Sequence, residues 1–173
     1  MSSFDEQNSE CPAGLYLKGQ PEQLAVDAYR HWLLGLLDND ETQFSLVWIN
    51  HRNALGEGLS RLAMEGLHTM VAQLDACANC PMRFMKPKSR HLCRDEFLIL
   101  GLISGIHNGQ DRVSWKCASH LTCPALASQL IGAAGQYAAP LKAGGKSLMP
   151  FPQSMMSELD QEAIVDRGAA SLH

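Results

Sequence analysis

The sequence predicts an all-α fold: a single-domain bundle of five to six helices with a cysteine-rich loop and flexible termini. Three observations predict it. Apolar residues recur at helical spacing in several separate segments. Val, Ile and Thr are scarce and no stretch alternates apolar with polar, so strand signals are missing. The chain has 173 residues, 46% hydrophobic and 18% charged, a composition that suits one globular domain burying roughly 70% of its unfolded surface.

Residues 1–18 read as a polar, acidic N-terminal tail, with neither the basic nor the apolar region of a signal peptide. The helical domain is expected over 19–145. Pro21 stands at a first helical position, and Leu24, Ala25, Tyr29, Trp32, Leu33, Leu36 and Leu37 follow at helical spacing. The polar run Asp38, Asn39, Asp40, Glu41 breaks this helix. A shorter one is predicted from about Thr42 to Asn53, carrying Phe44, Val47, Trp48 and Ile49 and punctuated by Gly56 and Gly58. Leu59, Leu62, Ala63, Gly66, Leu67, Met70, Val71 and Leu74 form the cleanest apolar stripe in the chain, and it leads into Cys77.

Beyond the loop, "RDEFLILGLISGIHNG" is apolar nearly all round from Phe97 to Ile106, which predicts a buried central helix. Asp95 and Glu96 occupy its first turn, where the helix dipole favours carboxylates. "RVSWKCASHL" predicts a short helix. Pro124 then opens "PALASQLIGAAGQYAAPL", with an end expected at Pro140 and Gly144. Residues 146–173 form a C-terminal tail in which "SMMSELDQEAIV" has the pattern of a short amphipathic helix.

The chemistry concentrates in "CANCPMRFMKPKSRHLC", residues 77–93. Cys77-x2-Cys80 is followed by His91 and Cys93, and further on by Cys117, His120 and Cys123. A tetrahedral zinc or an iron–sulfur cluster needs about four thiolate or imidazole ligands. A CxxC turn supplies two of them, and a second segment closes the site. The candidate ligands are therefore Cys77, Cys80, Cys93, His91, Cys117 and Cys123. Three of the six cysteines precede proline, at 11–12, 80–81 and 123–124. Proline following a ligand cysteine is a feature of bacterial ferredoxin runs, although cysteine before a first-turn proline also serves as a small helix-start residue.

Two other readings compete. Arg83, Lys86, Lys88, Arg90 and Arg94 crowd the same loop, and cations lower thiol pKa values, as does the helix N-terminus expected beside Cys93. That favours a redox-active dithiol at Cys77 and Cys80, yet the βαβ setting of thiol oxidoreductases is missing. The same cations at 83–94 fit an anionic partner, or a merely solvated loop. The chain as a whole carries a net charge of −4, so its surface as a whole is not built for a polyanion.

No P-loop, dinucleotide fingerprint, GxSxG or HExxH occurs. No run of 18 apolar residues suggests a membrane span. The leading expectation is a small cytoplasmic metal-binding accessory or regulatory protein, holding zinc or an iron–sulfur cluster and acting through protein partners, rather than a classical enzyme. The runner-up is a metal-free helical interaction module. A homodimer is compatible with so apolar a set of helices.

Overall fold

The computed structural model describes residues 12–77, 81–152, 154 and 157, and all regular structure among them is helical. Pro12–Leu17 forms a 3₁₀ helix, so the segment expected as an N-terminal tail includes an ordered turn, with Leu17 buried. Six α-helices follow: α1 Gln20–Asp38, α2 Glu41–Leu55, α3 Glu57–Cys77, α4 Arg94–His107, α5 Asp111–Leu121 and α6 Ala127–Ala143. A 3₁₀ turn, Pro124–Leu126, precedes α6.

Local chemistry sets the boundaries. Asn39 ends α1 in the left-handed region at φ 51°, a conformation that asparagine tolerates. Asp40 starts α2, its carboxylate accepting from Thr42 N at 2.9 Å, which satisfies one of the amides that a helix start leaves unpaired. Gly56 closes α2 at φ 80°.

Of the two stops the sequence offers, Pro140 and Gly144, the helix runs through the first and ends at Ala143, capped by Gly144. Pro140 has no N–H, so the Gln136 carbonyl four residues back loses its helical donor. That carbonyl faces α3 at Gly66, where an added Cβ would stand only 2.5 Å from Tyr137 N. The missing donor and the missing side chain therefore meet where α3 and α6 touch.

α3 packs mainly on α6, and α4 packs on α5 and α6. α1 and α2 pair as a hairpin, and α2 leans on α3. α4 is the centre: twelve of its fourteen residues are buried, including the run Phe97–Gly105. His51 bridges α2 to α6. Its Nδ1–H donates to the Val47 carbonyl at 2.9 Å, and its Nε2 accepts from the Tyr137 hydroxyl at 2.9 Å. None of the helices among the described residues is long and apolar enough to cross a membrane.

Candidate functional site

The loop after α3 is held by a buried ion pair. Arg30, on α1, is 1% exposed and meets Glu96, also 1% exposed, in the first turn of α4. Arg30 Nε donates to Glu96 Oε1 at 2.6 Å and an Nη to Oε2 at 3.1 Å. The rest of each group grips the loop backbone. Arg30 donates to the carbonyls of Ser89 at 2.8 Å and His91 at 2.6 Å. The Glu96 carboxylate accepts from Met85 N at 2.8 Å and Cys93 N at 2.9 Å, and Asp95 accepts from Arg83 N at 2.8 Å. A planar guanidinium bonded bidentately to a carboxylate is the pairing that tolerates desolvation best, provided the remaining N–H groups and lone pairs are filled, and here they are filled by the loop.

The expected ligands distribute as follows. Cys77 ends α3, buried, and its carbonyl accepts from the Thr122 hydroxyl at 2.7 Å. Cys123, partly buried, starts the 3₁₀ turn before α6. Cys93 is the N-cap of α4, its thiol donating to the Arg83 carbonyl at 3.3 Å. His91 is exposed. Arg94 lies 3.5 Å from His120 Nδ1 in the last turn of α5. The C-termini of α3 and α5 and the N-terminus of α4 therefore converge at one end of the bundle, bringing the segments of Cys77, Cys93 and Cys123 to the same end. Cys117 is displaced from them. It is fully buried, its sulfur 2.8 Å from where a Cβ on Gly101 would stand. Cys80 lies outside the described residues. Among the described residues no three His, Cys, Asp or Glu side chains are grouped to hold a metal ion, and Cys77, Cys93, Cys117 and Cys123 are all free thiols.

The electrostatics at Cys93 run opposite to the expectation from its basic neighbours in sequence. Its pKa is raised, chiefly by burial and then by the Glu96 and Asp95 carboxylates, against backbone hydrogen bonds from Glu96 and Asp95 that pull it down. Arg83, Lys86, Lys88 and Arg90 are exposed, and charges facing water do little for a half-buried sulfur. Burial pushes the Cys117 thiol further, to about 12. Neither thiol has the lowered pKa of an activated nucleophile.

Lys88 and Arg90 rim a cleft of about 210 Å³ between the loop and α1, lined also by Leu17, Gln23, Asp27, Arg30 and Ser89. Lys88 takes φ 65° here, and its amide points to the Asp27 carboxylate at 3.4 Å. An anion entering this cleft would meet Asp27 as well as the two cations.

The sequence does not single out Arg30 or Asp27; a charged residue among the apolar positions of α1 was the available signal. It also assigns Leu36, Leu37 and Leu62 to apolar stripes, yet these are 57%, 71% and 53% exposed. With Leu46 and Ile49 on α2, also exposed, they leave apolar side chains open to solvent on all of α1, α2 and α3.

Comparison of the chain with protein-family models, with curated proteins and with solved structures gave no match.

Proposed function

We propose that this chain is a helical interaction module, working by docking a protein partner on the outer side of α1, α2 and α3. The observation that carries this reading is the set of exposed apolar residues on these three consecutive helices: Leu36, Leu37, Leu46, Ile49 and Leu62. α2 buries only Val47 and His51 fully, although it also carries Phe44, Leu46, Trp48 and Ile49. That is more apolar surface than its two neighbouring helices cover. Isolated exposed leucines are ordinary on a soluble protein, whereas several on adjacent helices mark interaction surfaces.

The test is co-purification of the full-length chain and of its Leu37→Glu/Ile49→Glu variant from the native cell, with circular dichroism to confirm the fold. The reading expects a partner held by the first and lost by the second. A partner set indifferent to both substitutions contradicts it.

The convergence of the Cys77, Cys93 and Cys123 segments at one end of the bundle favours a second reading, a zinc or iron–sulfur accessory protein. Cysteine donors from separate elements suit either centre. Here the side chains of Cys77, Cys93 and Cys123 would have to turn toward one another and Cys80 complete the set, since no three ligand side chains are grouped among the described residues. Metal analysis and an absorption spectrum of anaerobically purified protein test it. Near-stoichiometric zinc or iron supports it, and less than about a tenth of an equivalent removes it.

A further inference from the structure

The segment after α6 lies across the bundle like a bound peptide. Leu148 and Phe151 are both buried, and five backbone groups of residues 148–151 are taken by side chains from earlier in the chain. Met149 N donates to Glu22 Oε1 at 2.6 Å, and the Met149 carbonyl accepts from the Ser104 hydroxyl. The Leu148 carbonyl accepts from Asn108 at 3.1 Å. Gln110 bonds Phe151 twice, accepting from its N–H at 2.9 Å and donating to its carbonyl at 3.0 Å.

The Phe151 ring drops between Tyr16, 5.4 Å away and stacked, and Phe97, 4.7 Å away. Gly101 forms the floor, since a Cβ there would stand 3.1 Å from the Phe151 ring. Pro150 and Pro152 favour the extended backbone that this mode of recognition needs, and they bring no N–H to leave unpaired. A groove that reads main-chain groups at regular intervals and one aromatic side chain in a pocket is a peptide-recognition site by construction.

We propose that this groove is a binding site for an extended Leu-x-Pro-Phe segment, filled within one chain by residues 148–151 and, between chains, by the same segment of a second copy, giving a segment-exchanged dimer. The occupant is fixed by the contacts themselves, since the segment that fits is this chain's own. Every partner of residues 148–151 named above precedes residue 111. The segment is joined to α6 through Gly144 and Gly145, the latter at φ +71° with open space around it. Changing the path through that joint redirects the segment without altering a contact in the groove, which is how exchanged dimers arise.

Two measurements on the full chain test this. Deleting Gly144 and Gly145 shortens the joint so that the segment no longer reaches its own groove. Sedimentation is then expected to give a species of twice the 19.0 kDa monomer mass, which reverts to monomer when Phe151→Ala is added. Separately, a fluorescent peptide of residues 146–153 should bind the full-length Phe151→Ala chain with one site per chain. The same peptide carrying Phe151→Ala should bind roughly ten- to a hundredfold more weakly, as expected for one buried aromatic. A folded, monomeric joint-shortened chain overturns the exchange. Failure of the peptide to bind a folded Phe151→Ala chain overturns the groove as a recognition site. Should the deletion itself prevent folding, Gly145→Val, strained at φ +71°, takes its place in the same sedimentation measurement, and a folded monomer again overturns the exchange.

Discussion

Arg30 Nε and Glu96 Oε1 lie 2.6 Å apart, 66 residues from one another in sequence, with both side chains closed off from solvent. This pair turns the stretch 81–93 from an open basic loop into a lining of the bundle, because the loop's backbone completes the hydrogen bonding of both groups. Breaking one side of such a pair leaves the other as an uncompensated buried charge. Arg30→Met should therefore cost about 3–5 kcal/mol of stability. Amide exchange at Met85 and Cys93 should accelerate far more than at Leu67 or Leu130 in the core. Arg30→Met/Glu96→Leu should cost clearly less than the sum of the two single changes. Additive costs from denaturant titration would contradict the account of the loop.

Gly66 is a second sharp point. An alanine there drives its methyl into the Gln136–Tyr137 backbone of α6, and backbone does not yield as a flexible side chain does. Gly66→Ala should destabilise by at least about 2 kcal/mol, although alanine is the better helix former by roughly 1 kcal/mol. Gly132, with open space around it, is the control. Its change to alanine should be neutral or stabilising in the same thermal or denaturant assay.

Much of the helix pattern was legible because burial imposes a 3.6-residue period that needs only local sequence. α3 follows from its stripe, α4 from a run that is apolar nearly all round, and the α1–α2 break from Asp38–Glu41. What periodicity cannot show is whether a neighbour covers the apolar side. Leu36, Leu37 and Leu62 keep the period and still face water. The Arg30–Glu96 pair was invisible because nothing in the sequence links positions so far apart. The expectation for Cys93 failed for a related reason. Sequence proximity gathered arginines and lysines around it, while the fold turned those side chains outward and set Asp95 and Glu96 beside the sulfur. The segments of Cys77, Cys93 and Cys123 reach one end of the bundle, but among the described residues no three of the expected ligand side chains are grouped there, and Cys80 lies outside those residues.

The thiols supply a chemical test. With pKa values raised, Cys93 and Cys117 remain protonated near neutrality and react slowly with alkylating agents. Mass spectrometry after a brief iodoacetamide pulse should find Cys117 unmodified in the native chain and Cys93 labelled much more slowly than in urea. Prompt labelling of native Cys93 at neutral pH would contradict its environment. The same shifts predict a loss of stability in alkali. The unfolded thiols ionise near 9, whereas folded Cys117 resists until about 12, so stability declines as pH rises through that interval.

His51 predicts an acid limb. Burial lowers its pKa, with the Val47 hydrogen bond opposing, and the neutral ring sits between Val47 and Tyr137. The unfolded histidine takes up a proton near 6.5 while the folded one resists. Stability is therefore complete above about 6.5 and falls as pH drops below it. His107 shifts in the same direction, burial first and then Lys142. The urea midpoint should decline as pH falls below about 6.5, and His51→Gln should flatten most of that decline. A midpoint unchanged over this range would show that His51 is not held neutral.

The central claim is that the chain works through the outer side of α1–α3, while the basic, cysteine-bearing loop is an internal support. Site-specific photo-crosslinking in the native cell tests this most directly. A crosslinker replaces Ile49 on the apolar side in one experiment and Lys88 on the loop in another, both in the full-length chain. The account predicts a discrete adduct from position 49, abolished by Leu46→Glu, and no comparable adduct from position 88. A discrete adduct at position 88 with none at position 49 would contradict it and return the basic loop to the centre of the protein's function.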